Sequence, residues 1–224
     1  MMNRLLMLLL ALLITQSAVL AQTPPRPTPE ATPESTTAIA LGAPVTDLEG
    51  SFEVRLPLDW LAQPYARRIY FGTSPEAVAI EQTVPDTLSA GEIGGFVTVA
   101  TVDAWQAFID IQTANNPAEA TPDATASESA QVRPVEVLLA VQASYGNLFD
   151  QPEFDAPLVF TLDAEAGGQG AFMLGTARGG DVAVYAVPLA DDRIALVAFT
   201  GARGQLDPLD PVLLAIIASV EPVA

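Results

Sequence analysis

From residue 51 onward, apolar and polar side chains alternate: Phe52, Val54, Leu56 and Leu58 against Ser51, Glu53, Arg55 and Pro57. A period of two with one apolar face predicts a half-buried strand. Pro57 lacks a backbone N–H, so it puts the strand at a sheet edge or marks its end. Residues 68–72 (Arg-Ile-Tyr-Phe-Gly) predict a second strand, closed by Gly72. The intervening Leu61-Ala62-Gln63-Pro64-Tyr65 reads as a loop with Tyr65 exposed. Ser74 and Pro75 suit the N-cap and first position of a short helical turn. Residues 95–100 predict a third strand.

The period then changes to that of a helix. Asp103, with Gln106 three residues on, suits a capping box. Val102, Trp105, Phe108 and Ile109 would form the buried face. Pro134 opens a second helix whose inner face would be Val135, Leu138, Leu139, Gln142 and Tyr145, with Gly146 as its stop. Four strands follow at 158–162, 170–176, 182–189 and 194–200, separated by short turns rich in Gly or Asp. Such turns predict hairpins and hence an antiparallel meander. The last two strands are apolar on both faces, which requires cover on both sides. A final helix supplies one cover. Asp210 is its N-cap, Pro211 its first residue, and Leu209, Val212, Leu213, Ile216, Ile217 and Val220 fall at helical spacing. Leu209 would staple against Leu214. The expected fold is α+β: a three-layer α/β/α sandwich on a mainly antiparallel sheet with a four-strand C-terminal meander, one domain over residues 41–224.

Three segments fall outside this pattern. Arg4, the apolar run from Leu5 to Leu13, and Val19-Leu20-Ala21 predict a signal peptide over 1–21, cleaved before Gln22. The apolar run is short for a bilayer span, so no stable membrane anchor is expected after cleavage. Residues 22–40 are dense in Pro and Thr and predict a disordered tether. Residues 113–131 carry no aromatic and no large aliphatic side chain, and predict a disordered insertion in the domain.

Composition narrows the chemistry. The 224 residues include no histidine and no cysteine, and the nine cationic side chains, all arginines, face 27 carboxylates for a net charge of −18. Zinc, haem and iron–sulfur sites lose their usual ligands. No Ser-His-Asp or Cys-His nucleophile can be assembled. Lysine-based Schiff bases and P-loops are excluded. The net charge disfavours nucleic acid. An exported chain without disulfides must rely on its core alone, and this one is long enough to do so.

The opening Phe52, Val54, Pro57 and Trp60, in a Phe-x-Val-x-x-Pro-x-x-Trp pattern, precedes strand-rich hairpins and a closing helix ending Ile216-Ile217-Ala218-Ser219-Val220. In this the chain resembles the PsbP-like domains, named for an extrinsic subunit of photosystem II. The resemblance implies the α/β/α sandwich of their superfamily and a non-catalytic binding or accessory role. It carries no functional residue over to this sequence.

Candidate site residues are few. Asp150, Glu153 and Asp155, near Asn147 and Gln151, could offer oxygen ligands to Ca²⁺, without EF-hand spacing. Tyr65, Arg67 and Arg68 form a candidate binding group, since Arg suits carboxylate, phosphate and protein recognition. Asp163 with Glu165, and Asp191 with Asp192, are further carboxylate pairs. Gly175 to Gly180 is glycine-rich but joins two strands, so it reads as a hairpin turn and not a nucleotide loop. No catalytic residue and no cofactor are assigned. The expected function is a secreted, non-catalytic binding or accessory domain for a protein or small ligand in the extracytoplasmic space. The alternative is an extracellular hydrolase of the glycosidase kind, using two carboxylates.

Overall fold

A computed structural model describes residues 39–79, 88–115, 132–145, 153–163, 168–177 and 180–223. The chain divides into two units, Met1–Thr37 and Ala38–Ala224, and every described residue lies in the second. The segments expected as signal peptide and tether therefore lie outside the described residues, save Ile39 and Ala40. No helix among the described residues is long and apolar enough to cross a membrane.

Among the described residues the elements follow in the order β1 (Leu41–Thr46), β2 (Phe52–Pro57), β3 (Leu61–Tyr65), β4 (Arg68–Gly72), α1 (Pro75–Ala79), β5 (Ile93–Thr101), α2 (Val102–Asn115), α3 (Pro134–Tyr145), β6 (Glu153–Phe154), β7 (Leu158–Asp163), β8 (Gly168–Ala177), β9 (Gly180–Leu189), β10 (Arg193–Ala202), α4 (Pro211–Ala218) and β11 (Glu221–Pro222). A three-stranded sheet runs β1-β2-β11. An eight-stranded sheet runs β3-β4-β5-β10-β9-β8-β6, with β7 also paired to β8. Both sheets are antiparallel, and the fold class is α+β.

The double-sided apolar pattern of the central strands has a direct consequence. Ala195, Val197 and Phe199 of β10 join one buried cluster, with Phe52 and Val54 of β2 and Ile216 of α4. Ile194, Leu196 and Ala198 join a second, with Trp105 of α2 and Leu138 of α3. Alternation along one strand thus feeds two cores. Tyr185 is fully buried in the first cluster among Phe160, Phe172 and Phe199, and its hydroxyl donates to the Pro208 carbonyl at 2.7 Å. Burial first, then the charges of Asp207 and Asp210, push its phenol well above the usual range. Trp105 spends its polar edge in the same way, donating from Nε1 to the Ile194 carbonyl at 3.0 Å. The backbone carries one close approach: a Cβ on Gly95 would run into the Ala198 carbonyl of β10.

α4 begins as its sequence predicts. Asp210 Oδ1 accepts from the Val212 N–H at 2.7 Å, with Pro at the first turn. Its far end is tied to β2 by Ser219, whose Oγ accepts from the Arg55 N–H at 2.9 Å. Ser74 likewise caps α1, accepting from the Ala77 N–H at 3.1 Å.

Several local expectations are corrected. β1 and β3 are strands where none was expected. Of the two places expected for Pro57, the strand's end is the one observed: β2 is the middle strand of its sheet and Pro57 is its last residue, opposite Leu41. α2 starts at Val102, so its cap is Thr101, whose Oγ1 accepts from the Ala104 N–H at 3.3 Å. Asp103 sits inside the first turn, where the helix dipole favours its charge. Gln106 donates from Nε2 to Asp110 one turn on, instead of closing a capping box. α2 continues through Asn115, so residues 113–115 are helical, and the rest of the expected insertion lies outside the described residues. On α3 the buried residues are Val137, Leu138, Ala140 and Val141, and Val135 packs against the same cluster as expected, while Leu139 is exposed. Leu209 is also exposed.

Candidate functional site

The β3–β4 hairpin ends at Tyr65 and Arg68, which face each other across the turn. The turn is held by Asp47, in the loop between β1 and β2. Asp47 is the one buried charged residue among those described. Its carboxylate accepts from the Ser51 N–H at 2.6 Å, the Ser51 hydroxyl at 2.8 Å, the Phe52 N–H at 3.1 Å and the Arg67 N–H at 3.1 Å. Burial acts to raise its pKa, but the Ser51 hydroxyl and the Phe52, Ser51 and Arg67 amides together outweigh burial and hold it below the ordinary value. Arg67 is in the left-handed region at φ 55°. A bond from Asp47 to its N–H, and one from the Thr98 hydroxyl to its carbonyl at 2.7 Å, hold this conformation. The Leu48 N–H adds a bond to the Tyr65 carbonyl at 2.9 Å.

Adjacent arginines then take different roles. The Arg67 side chain points to solvent and pairs with Glu49, Nε to Oε2 at 2.6 Å. Arg68, half-buried, lies over the Phe96 ring with Cζ 4.5 Å from its centroid, and 5.7 Å from that of Tyr70. One of its terminal nitrogens donates to the Tyr70 hydroxyl at 3.2 Å. No described carboxylate pairs with it: the described ion pairs are Arg67–Glu49 and Arg133–Glu136. Tyr65 stands edge-on to Tyr70, with ring centroids 5.3 Å apart, and Tyr70 in turn meets Phe96 at 6.2 Å. Gln63 donates to the Tyr65 hydroxyl at 3.2 Å. The rings of Tyr65 and Tyr70, with the buried Phe96 beneath Arg68, make a platform on β3, β4 and β5. Cation–aromatic contact orients the guanidinium but leaves its in-plane donors to other acceptors.

The structure thus brings Tyr65, Arg67 and Arg68 together, and separates Arg67 from the platform by committing it to Glu49. Asp150 lies outside the described residues. Glu153 and Asp155 are exposed, and the Asp155 N–H donates to the Leu174 carbonyl at 2.7 Å. Among the described residues no three His, Cys, Asp or Glu side chains converge as a metal site. Asp191 and Asp192 sit in the β9–β10 turn with φ of 59° and 52°. Sequence reasoning missed Asp47, Tyr70 and Phe96. Tyr70 stands two residues after Arg68 on a predicted strand, so the strand period places both on one face, whereas nothing local marked Phe96 as a neighbour of Arg68.

No protein-family model and no curated protein matches the sequence. Among solved structures, the chain is similar to a crystal structure from Bacteroides thetaiotaomicron, with 10% identity and a TM-score of 0.33. The match covers 81% of this chain and 48% of that one, so the chain spans about half its length.

Proposed function

We propose that this chain is a secreted, non-catalytic binding or accessory domain that docks its partner on the Tyr65–Arg68–Tyr70 platform. The observation that carries this reading is Arg68: a half-buried guanidinium seated on aromatic rings, with no described carboxylate to pair with. An arginine held in this way loses little freedom on binding, and Arg and Tyr are the residues that anchor protein interfaces. As architecture we propose a PsbP-like three-layer α/β/α sandwich. The two buried clusters support the layering, and the successive antiparallel pairing of β7, β8, β9 and β10 supports a C-terminal meander.

The carboxylates offer less. A two-carboxylate hydrolase needs a general acid with a raised pKa. Asp47 and Glu92 are both shifted the other way. The Ser74 hydroxyl, then the Ser89 amide, lower Glu92. Affinity capture from an extracytoplasmic fraction tests the proposal. A partner should be retained by the wild-type chain and by Arg203→Gln, a change at an exposed arginine elsewhere, and lost with Arg68→Gln. Equal retention by all three would overturn the assignment of the platform.

A further inference from the structure

Accepting the platform as the docking surface, we infer that it recognises a single carboxylate carried on a flat apolar frame. Three observations lead there. The Arg68 Cζ lies over the Phe96 ring, 4.5 Å from its centroid, and the guanidinium's donors all lie in the plane of the fork. A planar fork matches a carboxylate bidentately. The Tyr70 hydroxyl, already bonded to Arg68, stands beside the fork and can donate its own proton to the same anion. Tyr65, 38% exposed and edge-on to Tyr70, gives an aromatic surface next to the charge, which suits a flat apolar neighbour of that carboxylate.

Charge decides between anions. Arg67 stands next in sequence, but its guanidinium is engaged by Glu49, so among the described residues one cation, Arg68, serves the platform. The whole chain carries a net charge of −18. A phosphate dianion would meet one positive charge in a strongly negative field, whereas a carboxylate monoanion is matched one to one. Half-burial of Arg68 limits screening of that pair by salt.

The test is a titration of the full chain followed by NMR of the tyrosine rings. The probes are benzoate, its neutral counterpart benzamide, and inorganic phosphate. Benzoate should saturate shifts at Tyr65 and Tyr70. Benzamide and phosphate should bind about tenfold more weakly or worse, the scale of one lost charge-assisted bond. Arg68→Gln should weaken benzoate by a similar factor. Arg68→Lys, which keeps the charge and most of the stem, should also weaken it, because the fork is lost. Thermal unfolding of both variants checks that each is folded. Phosphate binding as tightly as benzoate, or benzoate binding that is unchanged in either folded variant, would overturn the carboxylate assignment. So would an absence of saturable benzoate shifts. If a partner is nevertheless captured in an Arg68-dependent way, the docking surface stands and only the ligand class fails.

Discussion

The Asp47 carboxylate accepts the backbone N–H of Arg67 at 3.1 Å, across twenty residues of sequence and from one sheet to the other. This bond couples the β1–β2 loop to the hairpin turn that presents Tyr65 and Arg68. It also stabilises Arg67 in a backbone region that side chains other than glycine seldom occupy.

Asp47→Asn should therefore cost about 2–3 kcal/mol at neutral pH, since the buried amides and the Ser51 hydroxyl lose a charged acceptor. The folded-state pKa lies below the ordinary 3.8, so the unfolded chain takes up the proton first as pH falls. The stabilisation is then full above the unfolded value and lost as pH drops through the folded one. Denaturant unfolding of wild type and Asp47→Asn should show a constant gap from about pH 7 to about pH 5 that narrows below 3.8. A gap that widens on acidification would contradict the bonding described.

Much of this fold was legible because its patterns are local. Phe52, Val54 and Leu56 announced β2, and Asp210 with Pro211 announced α4. The two-sided apolar runs at 182–200 announced two cores. β3 was not legible for an equally physical reason. It is an edge strand whose side chains are mostly exposed, and it contains Pro64, so neither alternation nor composition marks it. β1 carries Gly42 and Pro44 and a register shift, which hide its period. At the candidate site, Tyr65, Arg67 and Arg68 stood out as side-chain types. The division of labour between the two arginines did not, because Glu49 and Phe96 reach them only through tertiary contacts.

Two glycines separate packing from propensity. Gly95→Ala should cost about 3 kcal/mol or more, because the new methyl meets the rigid Ala198 backbone of the neighbouring strand. Gly168→Ala, with nothing within 4 Å, should be neutral or stabilising by up to about 1 kcal/mol. Equilibrium unfolding of both variants checks the pair. Similar effects would mean that β5 and β10 do not approach as closely as described.

The closing helix is expected to be structural. Ile216 and Ile217 are buried against the large sheet and β2. Ile217→Ala should cost about 2–5 kcal/mol, and Asp210→Ala about 1 kcal/mol through the lost cap. Ile217→Asp should leave the domain unfolded in a thermal scan, since a lone carboxylate there has no partner. A well-folded Ile217→Asp protein would show that this face of α4 is not a core face.

On the proposal above, the partner docks on the Tyr65–Arg68–Tyr70 platform. Hydroxyl-radical footprinting of the chain, alone and with its captured partner, tests it most directly. Protection is expected at Tyr65 and Tyr70, with exposed residues on the opposite edge strand, such as Leu158 and Val159, unchanged. Protection of Leu158 and Val159, with Tyr65 as reactive as in the free chain, would contradict the account.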